Sequence, residues 1–543
     1  MNKKILTIIP AAGRGSRMLS LTDNCAKSMV PIAGKPLISY LLDQLIEQNL
    51  TDVAIIVGYK KETIIDYVNT FYTDKLNVMF VEQKELLGLG HAIYETVNQI
   101  DITHYDGIFI MLGDAIFNTN EIYDFRRSYI ACKIMPDYSR WCIAVQKDYK
   151  LIKFLDKPSF KPEINLAVIG AYYFDDSTLF NRCVNEAIHS GITIKNEYQI
   201  STIIELYNKE KQVYVKILDD DNDWLDFGEL DTYNTNRRRI HQCRFFNNIQ
   251  YNDDVVYKTS DLNKQKIQRE IFWYLALPNE LKKFAPKLIS FDLDDTKPKY
   301  SIEYCNGTTL QESWLYSNFK DEMWSKILNR LLLIIDRFKE VSNECKIDFY
   351  SFIKNQLKSR VDLDKFFEGD TIKINDKEYD LNELKVFFNE YLLKRQSRFE
   401  NANASICHGD MVFSNIIYDI ATDNVKLIDP RGNFCGNILY SDVRYDIAKL
   451  TQCIVGDYDY IVNDLCKLTE DGYKIFLDKP QKFKMSLFDA ITKNYNKNDI
   501  LFITAIQFMT MIPLHKESEV HQIVMRYKAI ELLSLLKELV CEQ

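Results

Sequence analysis

Two groups of residues in this 543-residue chain have types and spacing that suit phosphate chemistry. The first opens at Ile8-Ile9-Pro10-Ala11-Ala12-Gly13-Arg14-Gly15-Ser16-Arg17-Met18, directly after an apolar run. Small residues there let backbone N–H groups approach a phosphate or a base, and Arg17 and Lys27 would neutralise phosphate charge. The loop is not a G-x-x-x-x-G-K-[ST] phosphate loop. Nor is it a dinucleotide fingerprint, whose third glycine position holds Met18. Asp114 closes another apolar run, which places a carboxylate at the carboxyl edge of an open sheet. Asp226 lies in a Trp-Leu-Asp-Phe-Gly context, where burying a carboxylate is costly unless it binds something. A lone aspartate at a strand end more often caps a turn, but two of them could hold one Mg2+ against phosphate groups.

The second group lies far downstream. In Ile406-Cys407-His408-Gly409-Asp410-Met411-Val412-Phe413-Ser414-Asn415, an aspartate and an asparagine stand five residues apart, and Asp429 then ends the apolar run Val425-Lys426-Leu427-Ile428. One carboxylate to orient an acceptor hydroxyl, with an amide and a second carboxylate to hold Mg2+, is what phosphoryl transfer from ATP requires. Upstream, Lys258 sits late in an apolar strand-like run, and Glu270 follows among Ile267, Ile271 and Leu275 at helical spacing. Such a pair would clamp the ATP phosphates; the plainer alternative is a surface ion pair. Their position ahead of both aspartate motifs favours the clamp.

The elements that must carry these residues change character near residue 240. Before it, strand-like runs at 4–9, 52–57, 77–81 and 107–112 alternate with helical patterns at 37–48 and 62–70, which predicts an α/β layer with a mainly parallel sheet. The basic cluster RRRIHQCR then leads into NNIQYNDDVVYKTS, read as short strands around an Asn-Asp-Asp turn. Beyond about residue 310, helical periodicity dominates, as over 323–341 and 381–398. The expected division is 1–240 and 241–543, the latter split into a small β-rich lobe (about 241–307) and a larger helical lobe (about 308–543).

Composition narrows the class. Apolar residues at 46% and charged residues at 27% argue for a folded globular chain, and a net charge of −9 gives no support for nucleic-acid binding. No apolar run reaches the roughly 18 residues a membrane span needs. The opening MNKKILTIIPAAGRGSR has too short an apolar core for a signal peptide and reads as a buried strand entering a loop. Twelve cysteines without a C-x-x-C pair indicate neither a zinc site nor a disulfide framework. A cytoplasmic enzyme with small-molecule partners, no nucleic acid and no membrane insertion is expected. Its oligomeric state stays open.

The run AAGRGSRMLSLTDNCAKSMVPIAGKPLISYLLDQL resembles the opening of sugar-phosphate nucleotidyltransferases. Further similar pieces follow in order: VGY (57–59), QKELLGLGHAI (83–93), LGDAIF (112–117), DKP (156–158), NLAVIGAYYF (165–174), NEYQIST (196–202) and WLDFGELDTY (224–233). The resemblance covers about residues 4–240 and implies a Rossmann-like nucleotidyltransferase domain. It further implies that Ala11, Gly13, Gly15 and Arg17 hold the nucleotide triphosphate and that Lys27 meets phosphate in the transition state. Gln83 and Gly88 would read the base, while Lys157, Asn165, Gly170 and Glu197 would face the acceptor. Asp114 and Asp226 would ligate Mg2+. The family usually has proline before the signature lysine; this chain has Ala26.

The HGD and IDPRG segments resemble the aminoglycoside phosphotransferase and choline kinase-like group, which implies a two-lobed, protein-kinase-like α+β fold. On that resemblance Asp410 is the catalytic base, Asn415 and Asp429 are Mg2+ ligands, and His408 supports the loop. Lys258 and Glu270 would serve ATP, and SIEYCNGTTL (301–310) would be the interlobe hinge that meets adenine. Arg431 stands where choline kinases often show a bulky acidic or aromatic residue, which speaks against choline. The two resemblances together imply a bifunctional enzyme for surface-glycan building blocks. An ATP-dependent kinase would phosphorylate a small hydroxylated acceptor, preferably a sugar at its anomeric hydroxyl. A nucleotidyltransferase would then join that phosphate to a nucleotide from a second NTP, CTP or UTP first, releasing pyrophosphate. The alternatives are an amino-alcohol kinase with a CTP-dependent cytidylyltransferase, and a transferase with a nucleotide-sensing regulatory half.

Overall fold

A computed structural model describes residues 3–541 apart from 19, 24, 33, 222, 238, 241–247, 253, 261–262, 318, 342–344 and 435. Much of the basic cluster at 237–244 and the middle of the Asn-Asp-Asp turn therefore lie outside the described residues. The chain forms two compact units, Met1–Ile240 and His241–Gln543. Among the described residues no helix is long and apolar enough to cross a membrane, and every cysteine is a free thiol.

The first unit is built on a nine-stranded sheet. Its order is Asn77–Glu82, Asp52–Val57, Ile5–Pro10, Gly107–Met111, Leu166–Phe174, Tyr129–Ile134, Tyr214–Ile217, Lys150–Asp156, Cys142–Lys147. The first four strands are mutually parallel. Their near-continuous runs of Ile, Val and Leu reflect burial on both faces. Leu6 and Ile8 share one core with Ala92 and Ile93 of helix Leu89–Gln99, Phe180 and Val184 of Ser177–His189, and Ile203 and Ile204 of Ile200–Glu210.

The mainly parallel expectation holds for that half of the sheet; the other half is mixed, with Tyr214–Ile217 parallel to Tyr129–Ile134 and its remaining pairs antiparallel. Leu166–Phe174 runs antiparallel to both of its neighbours, Gly107–Met111 and Tyr129–Ile134. Cys142–Lys147 and Lys150–Asp156 form a hairpin. Its two-residue turn, Asp148-Tyr149, has φ 52° and 58° at the two positions, the left-handed pair that matches strand twist in a tight hairpin. The chain has no long crossover there, and a short connection permits only antiparallel pairing.

From the central strand Ile5–Pro10 the order runs to Asp52–Val57 on one side and Gly107–Met111 on the other. This is a topological switch point, whose carboxyl edge forms a crevice suited to a ligand. The glycine-rich loop leaves one of these strands and Leu112-Gly113-Asp114 the other, tied together by the Gly113 N–H donating to the Pro10 carbonyl (3.3 Å).

The second unit begins with a four-stranded antiparallel sheet in the order Asn248–Asn252, Val255–Thr259, Lys299–Glu303, Leu288–Asp292. Helix Lys264–Ala276 packs on it through the buried Ile267, Ile271 and Tyr274. Residues 304–307 then lead to Thr308–Thr309, which pairs with Ile416–Asp419, itself paired to Asn424–Leu427. Helices make up most of the remainder. Asp321–Glu340 turns Trp324, Ile327, Leu328, Leu331, Ile334, Ile335 and Phe338 inward, and Leu381–Glu400 is capped by Asp380, which accepts from the Glu383 N–H (2.8 Å). Arg444–Ile454 is buried on every side, as is nearly all of Lys497–Met511.

Candidate functional site

In the first unit a small ribbon brings the two predicted carboxylates together. Ala115–Phe117 pairs antiparallel with Trp224–Asp226, so that Asp226 faces Ala115 and the Phe227 N–H donates to the Asp114 carbonyl (2.9 Å). Lys27, from the turn Lys27–Met29, donates to Asp114 Oδ2 at 2.5 Å, with side chains 13% and 29% exposed. Asp226 accepts from the Gly228 N–H (3.0 Å). Burial and the neighbouring Asp114 charge push the Asp226 carboxyl above the ordinary carboxylate range, against the opposing pull of the Thr232 hydroxyl, the Gly228 amide and Lys27. Two adjacent carboxylates, one paying for its charge, fit a divalent cation, which would relieve their repulsion.

Gly15 completes this group. Its φ is 66°, and a Cβ there would lie 3.0–3.1 Å from the Lys27 stem, so the loop and the lysine pack as one piece. A Cβ on Gly13 would meet nothing within 4 Å, which leaves that backbone open to a ligand. The Ala11 N–H is committed to the Ile56 carbonyl (2.8 Å), so it is not available to a nucleotide. Arg17 turns to Glu229 (2.6 Å), not to the Lys27–Asp114 pair.

The predicted base-reading and acceptor residues form a looser set. Buried Gln83 donates through Nε2 to the Gly88 carbonyl (3.2 Å). Gly88, at φ 101°, comes so near Tyr198 and Glu197 that a Cβ would sit 2.7 Å from the Tyr198 carbonyl oxygen and 2.9 Å from Glu197 Cβ. Gly170, on the strand beside Asp114's, touches the Leu112 side chain in the same sense (2.7 Å). Asn165 keeps a buried side-chain oxygen without a hydrogen-bond partner. Lys157 and Glu197 are exposed, and the Lys157 N–H is bonded to the Trp141 carbonyl (3.0 Å).

In the second unit the five predicted residues form two linked contacts. Lys258 Nζ lies 2.8 Å from Glu270 Oε2 and 2.8 Å from Asp429 Oδ1, with Lys258 only 3% exposed and Glu270 fully buried. Tyr300 donates to the same Glu270 oxygen (2.7 Å). Burial works against the Lys258 charge, yet Asp429 and Glu270 hold its pKa above the ordinary value. Asn415 Nδ2 donates to both the Asp410 carbonyl (2.9 Å) and its Oδ2 (3.0 Å), and the Ile428 N–H to the Asn415 carbonyl (2.9 Å). Asp429 has φ 58°, a strained conformation for a residue with a Cβ and the kind found at functional sites. Burial raises the Asp410 carboxyl, but Lys449 (3.3 Å) and Lys266 outweigh it and hold the pKa below the usual range. His408 is fully buried, and burial pulls its pKa down to about 4, so it is neutral; its ring meets Trp273 edge to face at 5.7 Å. Replacing Lys258 by Met would leave Glu270 without its closest counter-charge. We expect a loss of about 3–5 kcal/mol in urea unfolding, whereas a surface-pair value under about 1 kcal/mol would contradict the buried clamp.

Several residues at these sites escaped the sequence reading. Asp446 accepts the N–H groups of His408 and Gly409, both at 2.7 Å, and burial pushes its carboxyl up to about 7. Asp446 and Lys449 share a wholly buried helix, and an Asp-x-x-Lys in so apolar a setting was the available signal. Glu229 also binds Arg140; Glu229 lies within the quoted WLDFGELDTY, whereas Arg140 stands apart from every quoted motif. Arg431 makes no ion pair with a carboxylate among the described residues. Its guanidinium lies over Phe352 (5.3 Å) and Tyr445 (5.8 Å) and donates to the Asn433 carbonyl (3.0 Å).

Residues 6–242 match the family model described as nucleotidyl transferase. The chain is 30% identical over 210 residues to the UTP–glucose-1-phosphate uridylyltransferase AglF of Haloferax volcanii, covering 37% of this chain and 82% of that protein. It is 35% identical over 175 residues to the bifunctional protein GlmU of Methanococcus maripaludis, covering 31% of this chain and 40% of that protein. The chain thus spans less than half of that second relative. Among solved structures, CTP:phosphocholine cytidylyltransferase from Streptococcus pneumoniae (LicC) is 23% identical with a TM-score of 0.37, over 44% of this chain and all of the other.

Proposed function

Because the chain belongs, through residues 6–242, to the nucleotidyl transferase family, we propose that its first unit transfers a nucleotidyl group from CTP or UTP to a phosphomonoester, preferably a sugar 1-phosphate. An oxygen of the acceptor phosphate attacks the α-phosphorus, and pyrophosphate leaves on the opposite side. The open backbone at Gly13 and the loop at Gly15 receive the triphosphate, and Gln83 and Gly88 face the base. Lys27 lies where charge builds during transfer, and Lys157, Asn165, Gly170 and Glu197 form the acceptor side. Asp114 and Asp226 would hold Mg2+, which supplies charge neutralisation for the phosphates. Position and charge carry most of the rate in such displacements.

The second unit is, in this proposal, an ATP-dependent kinase that makes the phosphomonoester. The observation that carries it is Lys258, buried and held at 2.8 Å by both Glu270 and Asp429. Asp410 accepts the acceptor hydroxyl proton, and Asn415 and Asp429 would hold Mg2+ on the ATP phosphates. A purely nucleotide-sensing half would use the metal ligands but would have no need of Asp410 as a base. The fused product would be an NDP-linked building block for a surface glycan.

A second acceptor reading has one observation in its favour. Trp141, in the loop before strand Cys142–Lys147, meets Trp224 of the ribbon that carries Asp226 edge to face at 5.6 Å, and aromatic faces suit the ammonium group of an amino alcohol. One experiment separates the readings. The protein with Mg2+, ATP, CTP, UTP, GTP and dTTP is incubated with free sugars, polyols or amino alcohols, and products are read by mass spectrometry. An NDP-sugar supports the first reading and a CDP-amino alcohol the second. Phosphorylated acceptor without any NDP product would separate the two activities, and failure of ATP to phosphorylate any pool would count against the kinase.

A further inference from the structure

Arg17 and Arg140 arrive from different parts of the chain, the turn Ser16–Met18 and the loop before strand Cys142–Lys147. Both end on the carboxylate of Glu229, Arg17 on Oε1 and Arg140 on Oε2. Glu229 stands three residues after Asp226, and the Gly228 N–H between them is bound to Asp226 Oδ1 (3.0 Å). The point where the two guanidiniums converge is therefore anchored to the metal-binding carboxylate. The arginine side chains are 64% and 50% exposed and that of Glu229 is 23%, so water competes for these ion pairs and an incoming ligand can open them. Two guanidiniums on the two oxygens of one anion present the geometry that also suits the oxygens of a phosphate, and a phosphate dianion binds such a pair more strongly than a carboxylate does.

We propose that Arg17 and Arg140 form a phosphate subsite whose place is kept in the free protein by Glu229 acting as an internal placeholder. The ligand is a phosphate dianion, supplied by the pyrophosphate end of the NTP or by the phosphorylated acceptor. This rests on the nucleotidyl-transfer reading and adds to it a residue, Arg140, and a competing group, Glu229. The placeholder makes opposite demands on the two sides: removing an arginine weakens phosphate binding, whereas removing the competing charge strengthens it. A merely structural ion pair would weaken binding in both cases.

The test is calorimetric titration of the full chain with inorganic pyrophosphate, CTP and UTP, and with glucose 1-phosphate and phosphocholine as phosphomonoester probes. Arg140→Ala should raise Kd by about tenfold for one class, the pyrophosphate-containing ligands or the phosphomonoesters, and the class affected identifies the source. Arg140→Lys should recover part of that loss, because the charge remains and the fork does not. Glu229→Gln should lower the same Kd severalfold. Melting curves confirm that the variants are folded. Unchanged binding by Arg140→Ala for every ligand, or weaker binding by Glu229→Gln, overturns the subsite. Failure of the wild-type protein to bind any NTP or pyrophosphate would instead overturn the nucleotidyl-transfer reading.

Discussion

Asp226→Asn is expected to abolish pyrophosphate release and, at the same time, to raise the melting temperature of the metal-free protein. The two effects share one cause. Burial and Asp114 push the Asp226 carboxyl above its ordinary pKa, so its ionised form costs the folded state. The sign follows directly. An acid raised on folding leaves the protein more stable below the raised value, and that stability is lost as pH climbs through it. Asparagine keeps the acceptor for the Gly228 N–H but carries no charge at any pH. The metal-free variant should therefore melt above the wild type at neutral pH, and the gap should close as pH falls through the raised value and on to the ordinary carboxylate range. Loss of a metal ligand should lower turnover by about 10³-fold, roughly 4 kcal/mol of transition-state stabilisation. Pyrophosphate release and scanning calorimetry read the two effects separately. Retained turnover would remove Asp226 from the metal site, and a lower melting temperature would contradict its electrostatic account.

Asp410→Asn should lower ATP-dependent phosphorylation by about 10²–10⁴-fold while leaving nucleotidyl transfer to a supplied phosphomonoester intact. The carboxylate sits among Asn415, Lys449 and Lys266, which favour its charged form over the neutral one at any physiological pH. Its amide replacement retains the size of the side chain and an oxygen for Asn415 but cannot take a proton. Phosphorylation that survives the substitution would show the base to be another group. Loss of both activities would point to damage beyond this loop, and intact nucleotidyl transfer in the same preparation guards against that.

Legibility in the sequence followed the reach of each interaction. The strands Ile5–Pro10, Asp52–Val57 and Gly107–Met111 are apolar runs with abrupt ends, so the glycine-rich loop and Asp114 could be placed at strand ends from local pattern alone. The antiparallel hairpin of the other half was hidden because it turns on Asp148-Tyr149 and lacks the asparagine–glycine pair that marks such a turn. Counter-charges were harder still. Glu229 meets Arg17 across 212 positions of sequence, and Asp446 reaches the amides of His408 and Gly409 across 38 and 37. Nothing in a local window marks such partners; they exist only once the ribbon at Trp224–Asp226 and the buried helix Arg444–Ile454 have folded. The amphipathic stripe of Asp321–Glu340 was visible for the converse reason, since one turn of helix already contains its period.

The ammonium of Lys27 occupies one oxygen of Asp114 while its stem rests on the Gly15 backbone. On the proposed function this arrangement would set an order of addition. With Asp114 already neutralised, a free divalent ion would gain little by entering alone. A triphosphate settling on the loop would draw the lysine toward its own charge and free the carboxylate at the same moment. Metal and nucleotide would then raise each other's affinity, and by thermodynamic linkage each would do so by the same factor. The proposed transferase would in this way take up its cation together with a nucleotide and give it back when the pyrophosphate departs.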